Sequence, residues 1–319
     1  MKVVHGLEAF PTPVRSVCVA LGTFDGLHRG HRAIIDAVRA AASARGGDAV
    51  VTTFDPHPLK IIAPPPGPFL LSTLDERIAL FDETGVDGVV VIPFDAQLRE
   101  VEASDWLDLV AGRLGARHLV VSSNHTFGRK RRGTVPMLQE WALARGLEVT
   151  IVPPVRHGGE IVSSSTIRDR LRGGDVRQAG AWLGRWYVVS GTVIRGEGRG
   201  RRLGIPTANV EVPEDKLVPA DGVYAAYATV EATTHQAAVN IGVRPTFGGV
   251  ARAVEAHLLD TSLDIYGKVL ELAFAERLRD EISFDGPDAL LRQIRADIES
   301  VRTVLGTAPN QRAIQERLV

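Results

Sequence analysis

Residues 16–34 read SVCVALGTFDGLHRGHRAI, an apolar segment followed by a glycine-rich turn and an amphipathic helix. Further pairs of apolar and amphipathic segments follow as far as Leu171. This alternation predicts a parallel sheet covered on both faces, because each parallel crossover needs a helix. The first part of the chain is therefore expected to be an α/β domain with a Rossmann-like parallel sheet. Its predicted strands lie in SVCVALG, DAVVTTF, DGVVVIPF, RHLVVS and LEVTIVPP.

After about Gly184 the pattern changes to strand-like runs separated by Gly, Pro and Asp. Such runs are typical of a small antiparallel β-barrel or sandwich. From Pro287 to Leu305 the apolar residues fall at helical spacing, which predicts a C-terminal helix, and residues 309–317 are expected to form a second one. We place the domain boundary so that the domains are residues 1–184 and 185–319.

The composition agrees with two domains of ordinary size. The chain has 319 residues, of which 45% are hydrophobic, enough for two cores. A formal net charge of −1 gives no general attraction to nucleic acid or to membranes, so small-molecule partners are expected.

The single cysteine, Cys18, lies in an apolar run and is expected in the core, which fits a reducing compartment. With no leader and no apolar stretch of about 20 residues, we expect a soluble cytoplasmic protein.

The turn at residues 22–31 combines Gly22, Gly26 and Gly30 with His28 and His31. Ligands of open parallel sheets collect at the carboxyl ends of strands, where a helix N-terminus offers free N–H groups to phosphate. The imidazoles would stabilise charge that grows on a transferring phosphoryl group. A histidine pair on a helix is more often structural, but the strand-turn-helix setting favours a phosphate site here.

The pattern G-x-F-D-G-x-H-x-G-H in this turn resembles the nucleotidyltransferase signature of the prokaryotic bifunctional riboflavin kinase/FAD synthetase family. The resemblance implies an α/β nucleotidyltransferase fold for the first domain. It also implies catalytic roles for His28 and His31. The residues it assigns to ATP and phosphate binding are Gly22, Phe24, Asp25 and Gly30.

Two further segments resemble markers of the same family. FDPHP, residues 54–58, matches the loop after the second strand, although a turn fixed by proline is an equally simple interpretation. SSSTIR, residues 163–168, resembles the second nucleotide motif, which would make Ser164 and Ser165 phosphate ligands and Arg168 catalytic. The serines alone are also compatible with an ordinary helix N-cap.

One marker departs from the family pattern. In SSNHTFGRKRRG, residues 122–133, Ser122 replaces a glycine and His125 replaces an aromatic residue. The resemblance implies that this loop contacts the flavin through Asn124 and Phe127, with Trp106 as a stacking partner. The basic residues 129–132 are interpreted either as a grip on pyrophosphate or as a solvated loop.

The second domain begins with GTVIRGEGRGRRLGIPTANV, residues 191–210, which resembles the riboflavin kinase signature of the family. Its glycines let the backbone approach phosphate closely, and its arginines add positive charge. Thr207 and Asn209 offer the hard oxygen ligands that Mg²⁺ shares with substrate phosphates. The alternative interpretation is that both are ordinary strand residues that bind no metal. The other residues named here are Gly196, Gly198, Gly200, Gly204, Arg199, Arg201 and Arg202.

Phosphoryl transfer also needs a group that orients or accepts the proton of the attacking hydroxyl. In RAVEAHLLD, residues 252–260, Glu255 stands where the family places its catalytic base, on the strand face opposite Val254 and Ala256. By pattern alone it would be a solvent-facing strand residue. The segment AVNIGVRPTFGG upstream is expected to shape the site entrance through Asn240, Arg244, Thr246 and Phe247.

Together the two signatures imply a bifunctional enzyme. ATP would phosphorylate riboflavin to FMN in the barrel, and a second ATP would adenylylate FMN to FAD with release of pyrophosphate. Mg²⁺ is the expected cofactor, and riboflavin, FMN, FAD and ATP are the expected ligands, with no nucleic acid or membrane partner. Two alternatives remain: a riboflavin kinase with a degenerate adenylyltransferase domain, and a flavin-binding protein without turnover. No feature of the sequence indicates an oligomeric state.

Overall fold

The structure is a computed structural model that describes residues 1–11, 16–196, 198, 200, 203–246, 249–261 and 263–306. The predictions made for Arg199, Arg201, Arg202, Phe247 and a helix at 309–317 lie outside the described residues, as do the side chains of Arg244 and Thr246. The chain divides into two compact units, Met1–Ser164 and Ser165–Val319.

The first unit is built on a six-stranded sheet in which all neighbouring strands are parallel. The strand order is β1-β4-β3-β2-β5-β6. From β2 the chain builds outward to β3 and β4, then crosses to β5 and β6 on the other side. The carboxyl ends of β2 and β5 therefore flank a topological switch point, where open sheets bind ligands. The strands are β1 (Lys2–His5), β2 (Val17–Ala20), β3 (Asp48–Asp55), β4 (Gly88–Pro93), β5 (Ala116–Ser122) and β6 (Glu148–Val152).

Helices cover both faces of this sheet, which confirms the predicted α/β class. One face packs in a core that contains Cys18, 0% exposed, with Ile35 of α1 and Phe81 of α3. The other face packs against Leu107 of α5 and Leu138 of α6. The helices are α1 (Arg29–Ala44), α2 (Pro58–Ile62), α3 (Leu74–Asp82), α4 (Ala96–Arg99), α5 (Ala103–Leu114) and α6 (Val135–Leu143), and a hairpin of β7 (Arg156–His157) and β8 (Glu160–Ile161) follows.

The second unit contains a closed antiparallel barrel with the strand order β10-β13-β12-β11-β14-β9. Of the two predicted architectures, the barrel is therefore correct and the sandwich is not. Helix α7 begins at Ser164, and α8 packs against β14 and β9 of the barrel. The elements are α7 (Ser164–Arg172), α8 (Val176–Leu183), β9 (Tyr187–Ile194), β10 (Ala208–Glu211), β11 (Gly222–Val230), β12 (Thr233–Thr246), β13 (Gly249–Leu258), β14 (Val269–Arg279) and α9 (Pro287–Leu305).

The predicted C-terminal helix is α9, and it packs on the outside of the barrel. Val301 and Leu305 lie in one buried cluster with Tyr227 of β11. Arg279 of β14 also donates two hydrogen bonds to the Asp297 carboxylate, at 2.9 and 2.7 Å. Because Asp297 is only 6% exposed, this pair joins helix and barrel in a water-poor setting.

Candidate active sites

The turn after β2 has a backbone that most side chains avoid. Phe24, Gly26 and Leu27 have φ angles of 55°, 79° and 37°, in the left-handed region. At Gly22 an added Cβ would lie 2.8 Å from the Phe24 ring, and at Gly26 it would lie 2.8 Å from Leu71. These glycines therefore allow a tight turn over the carboxyl end of the sheet.

A buried carboxylate holds this turn in place. Asp25, 1% exposed, accepts hydrogen bonds from the N–H groups of Leu71 at 3.1 Å and Ser72 at 2.9 Å. The Ser72 hydroxyl, 3.2 Å from the same carboxylate, in turn accepts the N–H of Gly26 at 2.9 Å. Ser164 donates its hydroxyl to the Asp25 carbonyl oxygen at 2.9 Å. The structure thus places Asp25 inside the turn, where it fixes the conformation.

Arg77 of α3 also holds this turn in place and is only 1% exposed. Its Nη1 donates to the Thr23 carbonyl at 3.2 Å, the Thr53 hydroxyl at 2.7 Å and the Phe54 carbonyl at 3.1 Å. Burial lowers the pKa of this guanidinium, and the nearby Asp25 carboxylate opposes the shift. No motif pointed to Arg77, although an arginine on the buried face of a predicted helix is rare unless it is paired.

The two histidines meet at the N-terminus of α1. The Nδ1 atom of His28 accepts the N–H of His31 at 3.2 Å, so His28 is the N-cap of the helix. An accepting Nδ1 leaves the ring proton of this imidazole on Nε2. The rings stack with centroids 3.6 Å apart, and Phe24 lies edge-on to His31. An added Cβ on Gly30 would come within 3.1 Å of the His28 ring, so this glycine gives the ring its space.

The loop after β5 lies beside this turn, because β5 and β2 are parallel neighbours. Asn124 in this loop is exposed. The hydroxyl of Ser122 donates to Asn124 Oδ1 at 2.8 Å. That contact uses the oxygen of the Asn124 amide and leaves its N–H₂ group as a donor. The serine that departs from the family pattern therefore forms a contact that glycine could not.

Phe127 and Trp106 lie beneath this loop, each 6% exposed and part of one hydrophobic cluster. His125 stacks on Phe127 with ring centroids 5.6 Å apart. Its Nε2 is buried and has no hydrogen-bond partner among the residues that the structure describes. Burial lowers the pKa of His125 to about 4, so the ring is neutral near pH 7. The imidazole thus occupies the aromatic position as an uncharged ring.

The basic run after this loop is partly committed to structural contacts. Arg129 pairs with Glu100 at 2.9 Å and with Glu102 at 3.2 Å. Arg131 donates from Nε to the Thr126 hydroxyl at 3.0 Å. These contacts join the run to the segment just before α5 and to Thr126, a role that neither of the two earlier interpretations of the run included.

The residues of the SSSTIR segment begin helix α7. Ser164 is its first residue, Ser165 is exposed, and Arg168 is half-buried one turn further along. The first N–H groups of a helix have no partner within the helix, which makes such a terminus suitable for an anion. His57 of the FDPHP segment caps helix α2, because its Nδ1 accepts the N–H of Leu59 at 3.1 Å.

In the barrel, strand register brings the predicted kinase residues together. Asn209 of β10 and Asn240 of β12 both pair with Glu255 of β13. Thr207, just before β10, donates its hydroxyl to Glu255 at 3.4 Å. Glu255 is half-buried, while its neighbours Val254 and Ala256 are buried in the barrel, which confirms the predicted alternation.

Two cavities meet at Thr207. One, of about 440 Å³, is lined by Gly196, Gly198 and Asn209 with a wall of apolar barrel residues and Tyr266. The other, of about 270 Å³, contains Glu255, Asn240 and Gly200. Its apolar wall comes from α9 and the segment before it, through Ile282, Phe284, Leu290 and Ile294. Both volumes are of the order found for small-molecule sites.

Two described glycines ahead of Thr207 lie directly against these residues. A Cβ added at Gly196 would collide with the Asn209 amide, and one at Gly200 would collide with the Ile205 carbonyl and approach the Thr207 hydroxyl at 3.2 Å. Gly198 and Gly204 have φ angles of 69° and 77°, which favour glycine. Gly196 and Gly200 thus let the backbone approach Asn209 and Thr207 more closely than a side chain would permit.

Comparison with known proteins identifies the family of each part of the chain. A family model for FAD synthetase matches residues 11–166, and one for riboflavin kinase matches residues 183–305. A bifunctional riboflavin kinase/FMN adenylyltransferase of Escherichia coli (strain K12) is 32% identical over 96% of this chain and 98% of its own. The chain belongs to the bifunctional riboflavin kinase/FMN adenylyltransferase family. A Pseudomonas fluorescens member is 34% identical over 95% of this chain and 98% of its own.

Membership in the bifunctional family confirms the predicted order of an adenylyltransferase domain followed by a kinase domain. The two family models leave residues 167–182 unassigned, and these include most of α7 and α8. The predicted boundary between residues 184 and 185 therefore stays a prediction.

A solved structure from Streptococcus pneumoniae has the same fold as this bifunctional-family chain. It matches with a TM-score of 0.87 and 31% identity over 95% of this chain and 99% of its own, and it is described as a macrolide-efflux protein. That description concerns the other protein. Among the described residues of the present chain, no helix is both long and apolar enough to cross a membrane.

Proposed function

We propose that this chain performs both reactions of its family at two separate sites. Riboflavin would be phosphorylated by ATP in the barrel, and the FMN formed would be adenylylated by a second ATP at the sheet. The observation that carries the proposal is the position of Thr207, which lines two adjacent cavities and contacts Glu255. A kinase needs this arrangement of two substrate spaces with one transfer point between them.

In the barrel we assign the larger cavity to ATP and the smaller one to riboflavin. The glycines at 196 and 198 offer backbone N–H groups to phosphates in the larger cavity. The wall formed by Ile282, Phe284 and Ile294 suits the flat apolar flavin ring. Glu255 stands in the flavin cavity, where its carboxylate would accept the proton of the riboflavin 5′-hydroxyl as that oxygen attacks the γ-phosphate.

Mg²⁺ is the proposed cofactor of both reactions. Its fit in the barrel rests on the Thr207 hydroxyl and the Asn209 amide oxygen, two hard oxygen ligands at the wall of the ATP cavity. When bound, Mg²⁺ would neutralise charge on the phosphates. Among the described residues, no three His, Cys, Asp or Glu side chains converge as a metal centre.

At the sheet we propose that the α1 N-terminus and the histidines receive the phosphates of the second ATP. The His28 ring carries its proton on Nε2, so it can donate to a phosphate oxygen, and His31 lies stacked beside it. The FMN phosphate would attack the α-phosphorus of ATP, and pyrophosphate would leave. Gly22, Phe24 and Gly30 shape the turn for this anion, and Asp25 holds the turn in its conformation.

Three residues of the second nucleotide motif complete the adenylyltransferase proposal. Ser164 and Ser165 would offer hydroxyls and helix N–H groups to phosphate, and Arg168 would add charge. Asn124 would bind the flavin through its outward amide, while Phe127 and Trp106 support the loop that carries it. We place the enzyme in the cytoplasm, in keeping with a buried free Cys18.

A time course tests both activities at once. Purified protein is incubated with riboflavin, ATP and Mg²⁺, and the flavins are separated by chromatography. The proposal predicts FMN first and FAD afterwards. FMN without FAD would establish the alternative motivated by Ser122 and His125, a riboflavin kinase with a degenerate adenylyltransferase domain. Absence of both products would refute the proposal in favour of a binding protein.

A further inference from the structure

His257 lies two residues after Glu255 on β13, so their side chains project from the same face of the strand. It contacts the chain just ahead of Thr207: its Nδ1 is 2.8 Å from the carbonyl oxygen of Pro206. A carbonyl oxygen only accepts hydrogen bonds, so Nδ1 carries the proton and donates it. The ring therefore joins β13 to the segment that leads into β10.

The regular pairing of β10 with β13 does not reach this segment. The ladder begins at Ala208, paired with Ala256. Pro206 has no N–H group and cannot donate to a strand ladder. The His257 side chain supplies a hydrogen bond beyond the end of the ladder, at the point where backbone pairing stops.

Thr207 is consequently held from both sides. Ala208 on one side is fixed by the ladder, and Pro206 on the other is fixed by His257. The Thr207 hydroxyl reaches Glu255 at 3.4 Å and stands between the two cavities. A shift of about 1 Å in such a ligand can lower a reaction rate by about 100-fold.

We propose that His257 is a positioning residue for phosphoryl transfer, which holds Thr207 at the transfer point through the Pro206 carbonyl. The inference rests on the riboflavin kinase function proposed above. It assigns His257 no contact with the reacting atoms, so the imidazole itself is dispensable when another donor takes the place of Nδ1.

Three substitutions separate this role from others. The amide nitrogen of His257→Asn can occupy the position of Nδ1, whereas the longer side chain of His257→Gln places its amide beyond it. His257→Leu keeps much of the volume and removes the donor. We expect His257→Leu and His257→Gln to lower kcat for FMN formation by about 30-fold, and His257→Asn to stay within about threefold of the parent.

Two further readouts accompany the rates. MgADP affinity, measured by calorimetry without turnover, should fall about tenfold in the Leu and Gln variants and recover in Asn, because Thr207 is a proposed ligand of the metal-nucleotide complex. His257 also lines the cavity assigned to riboflavin, so a changed KM for riboflavin with unaltered kcat and MgADP affinity would overturn the inference. The adenylylation of supplied FMN should not change. His235→Leu, a matched change on β12 away from both cavities, should leave the kinase rate and MgADP affinity unaltered.

The inference is overturned if His257→Leu keeps the parental rate and MgADP affinity, or if His257→Asn is as impaired as Leu in both. Should His257→Leu fail to fold, Asn and Gln still decide, because both keep an amide and differ in its reach. Absence of FMN formation by the parent protein would instead refute the proposed function, and MgADP affinity would still rank the variants.

Discussion

The two candidate active sites are held in shape by different kinds of interaction. At the sheet, the turn after β2 depends on buried polar side chains: Asp25 accepts a hydrogen bond from the N–H of Ser72, and Arg77 donates to the carbonyls of Thr23 and Phe54. The residues joined in this way are distant in the sequence, and one partner in each hydrogen bond is a side chain.

In the barrel, backbone pairing does most of this work. Asn209 and Asn240 are brought to Glu255 by the register of three neighbouring strands. Gly196 and Gly200 then allow the backbone to lie close to Asn209 and Thr207.

The two sites should therefore respond differently to substitution. A polar substitution beneath the sheet site should change both the shape of the turn and the stability of its unit. In the barrel, removing a reactive side chain should abolish chemistry while the fold persists, and harm to the fold should come from added bulk.

The largest effect is expected from Glu255→Gln. The amide cannot accept a proton from the riboflavin hydroxyl, so FMN formation should fall by about 100-fold or more. Adenylylation of supplied FMN and the unfolding temperature should stay unchanged. Steady-state rates for both reactions measure this, with Glu271→Gln on an exposed position of β14 as the control. An equal loss in that control would contradict the assignment.

A large effect on both stability and activity is expected from Asp25→Ala. The N–H groups of Leu71 and Ser72 lose their acceptor, at a cost of about 1–3 kcal/mol for each group left buried and unpaired. FAD formation from FMN should fall with the unfolding free energy, while the kinase rate persists. Denaturant unfolding and the two rates check this, with exposed Asp36→Ala as the control. Unchanged stability would show that the turn does not depend on Asp25.

A smaller loss is expected from Gly196→Ala. The added methyl group would push the Asn209 amide away from its place in the ATP cavity. We expect the kinase rate to fall about tenfold, mainly through a weaker response to Mg²⁺. Titration of the rate with Mg²⁺ measures this, and Gly286→Ala, where nothing lies within 4 Å, is the control. A parental Mg²⁺ response would contradict Asn209 as a ligand.

The smallest effect on activity is expected from His125→Phe, which keeps the ring on Phe127. Burial depresses the pKa of folded His125 to about 4 from 6.5, so between these values the unfolded chain takes up a proton that the folded chain does not. The parent should therefore lose stability as pH falls through this window. Between pH 7 and 5 the loss due to His125 is about 2 kcal/mol.

The His125→Phe variant should lack this part of the loss and keep FAD formation. The difference between parent and variant in unfolding free energy, measured at pH 7 and pH 5, isolates the contribution of one imidazole from that of the carboxylates. A difference that does not change with pH would show that His125 is not held neutral by the fold.

Much of the fold could be predicted because local patterns carry it. Helix α5, Ala103–Leu114, is one of the amphipathic segments that alternate with the predicted strands, and it ends at Gly115, a left-handed C-cap. The barrel strands follow from alternation between turn residues. Strand β1 was not predicted, because a four-residue edge strand in which Val4 alone is buried has too short a pattern.

The site could be predicted where residues are adjacent in a motif and not where tertiary contacts decide. His28 and His31 share one helix turn and do meet. Asp25 and Ser72 are 47 residues apart, and no local pattern indicates their bond. The burial of Phe127 and Trp106 likewise depends on how α5 packs. Their predicted place at the ligand came from the motif match, which carries no information about this packing.

The central claim, two independent sites on one chain, is tested most directly by mixing two variants. Glu255→Gln and His31→Ala are each incubated with riboflavin, ATP and Mg²⁺, alone and in equal amounts together, and FAD is measured by chromatography. We expect His31→Ala to stop at FMN, Glu255→Gln to leave riboflavin unconverted, and the mixture to produce FAD. A His31→Ala protein that makes no FMN, or a mixture that makes no FAD, would contradict the account.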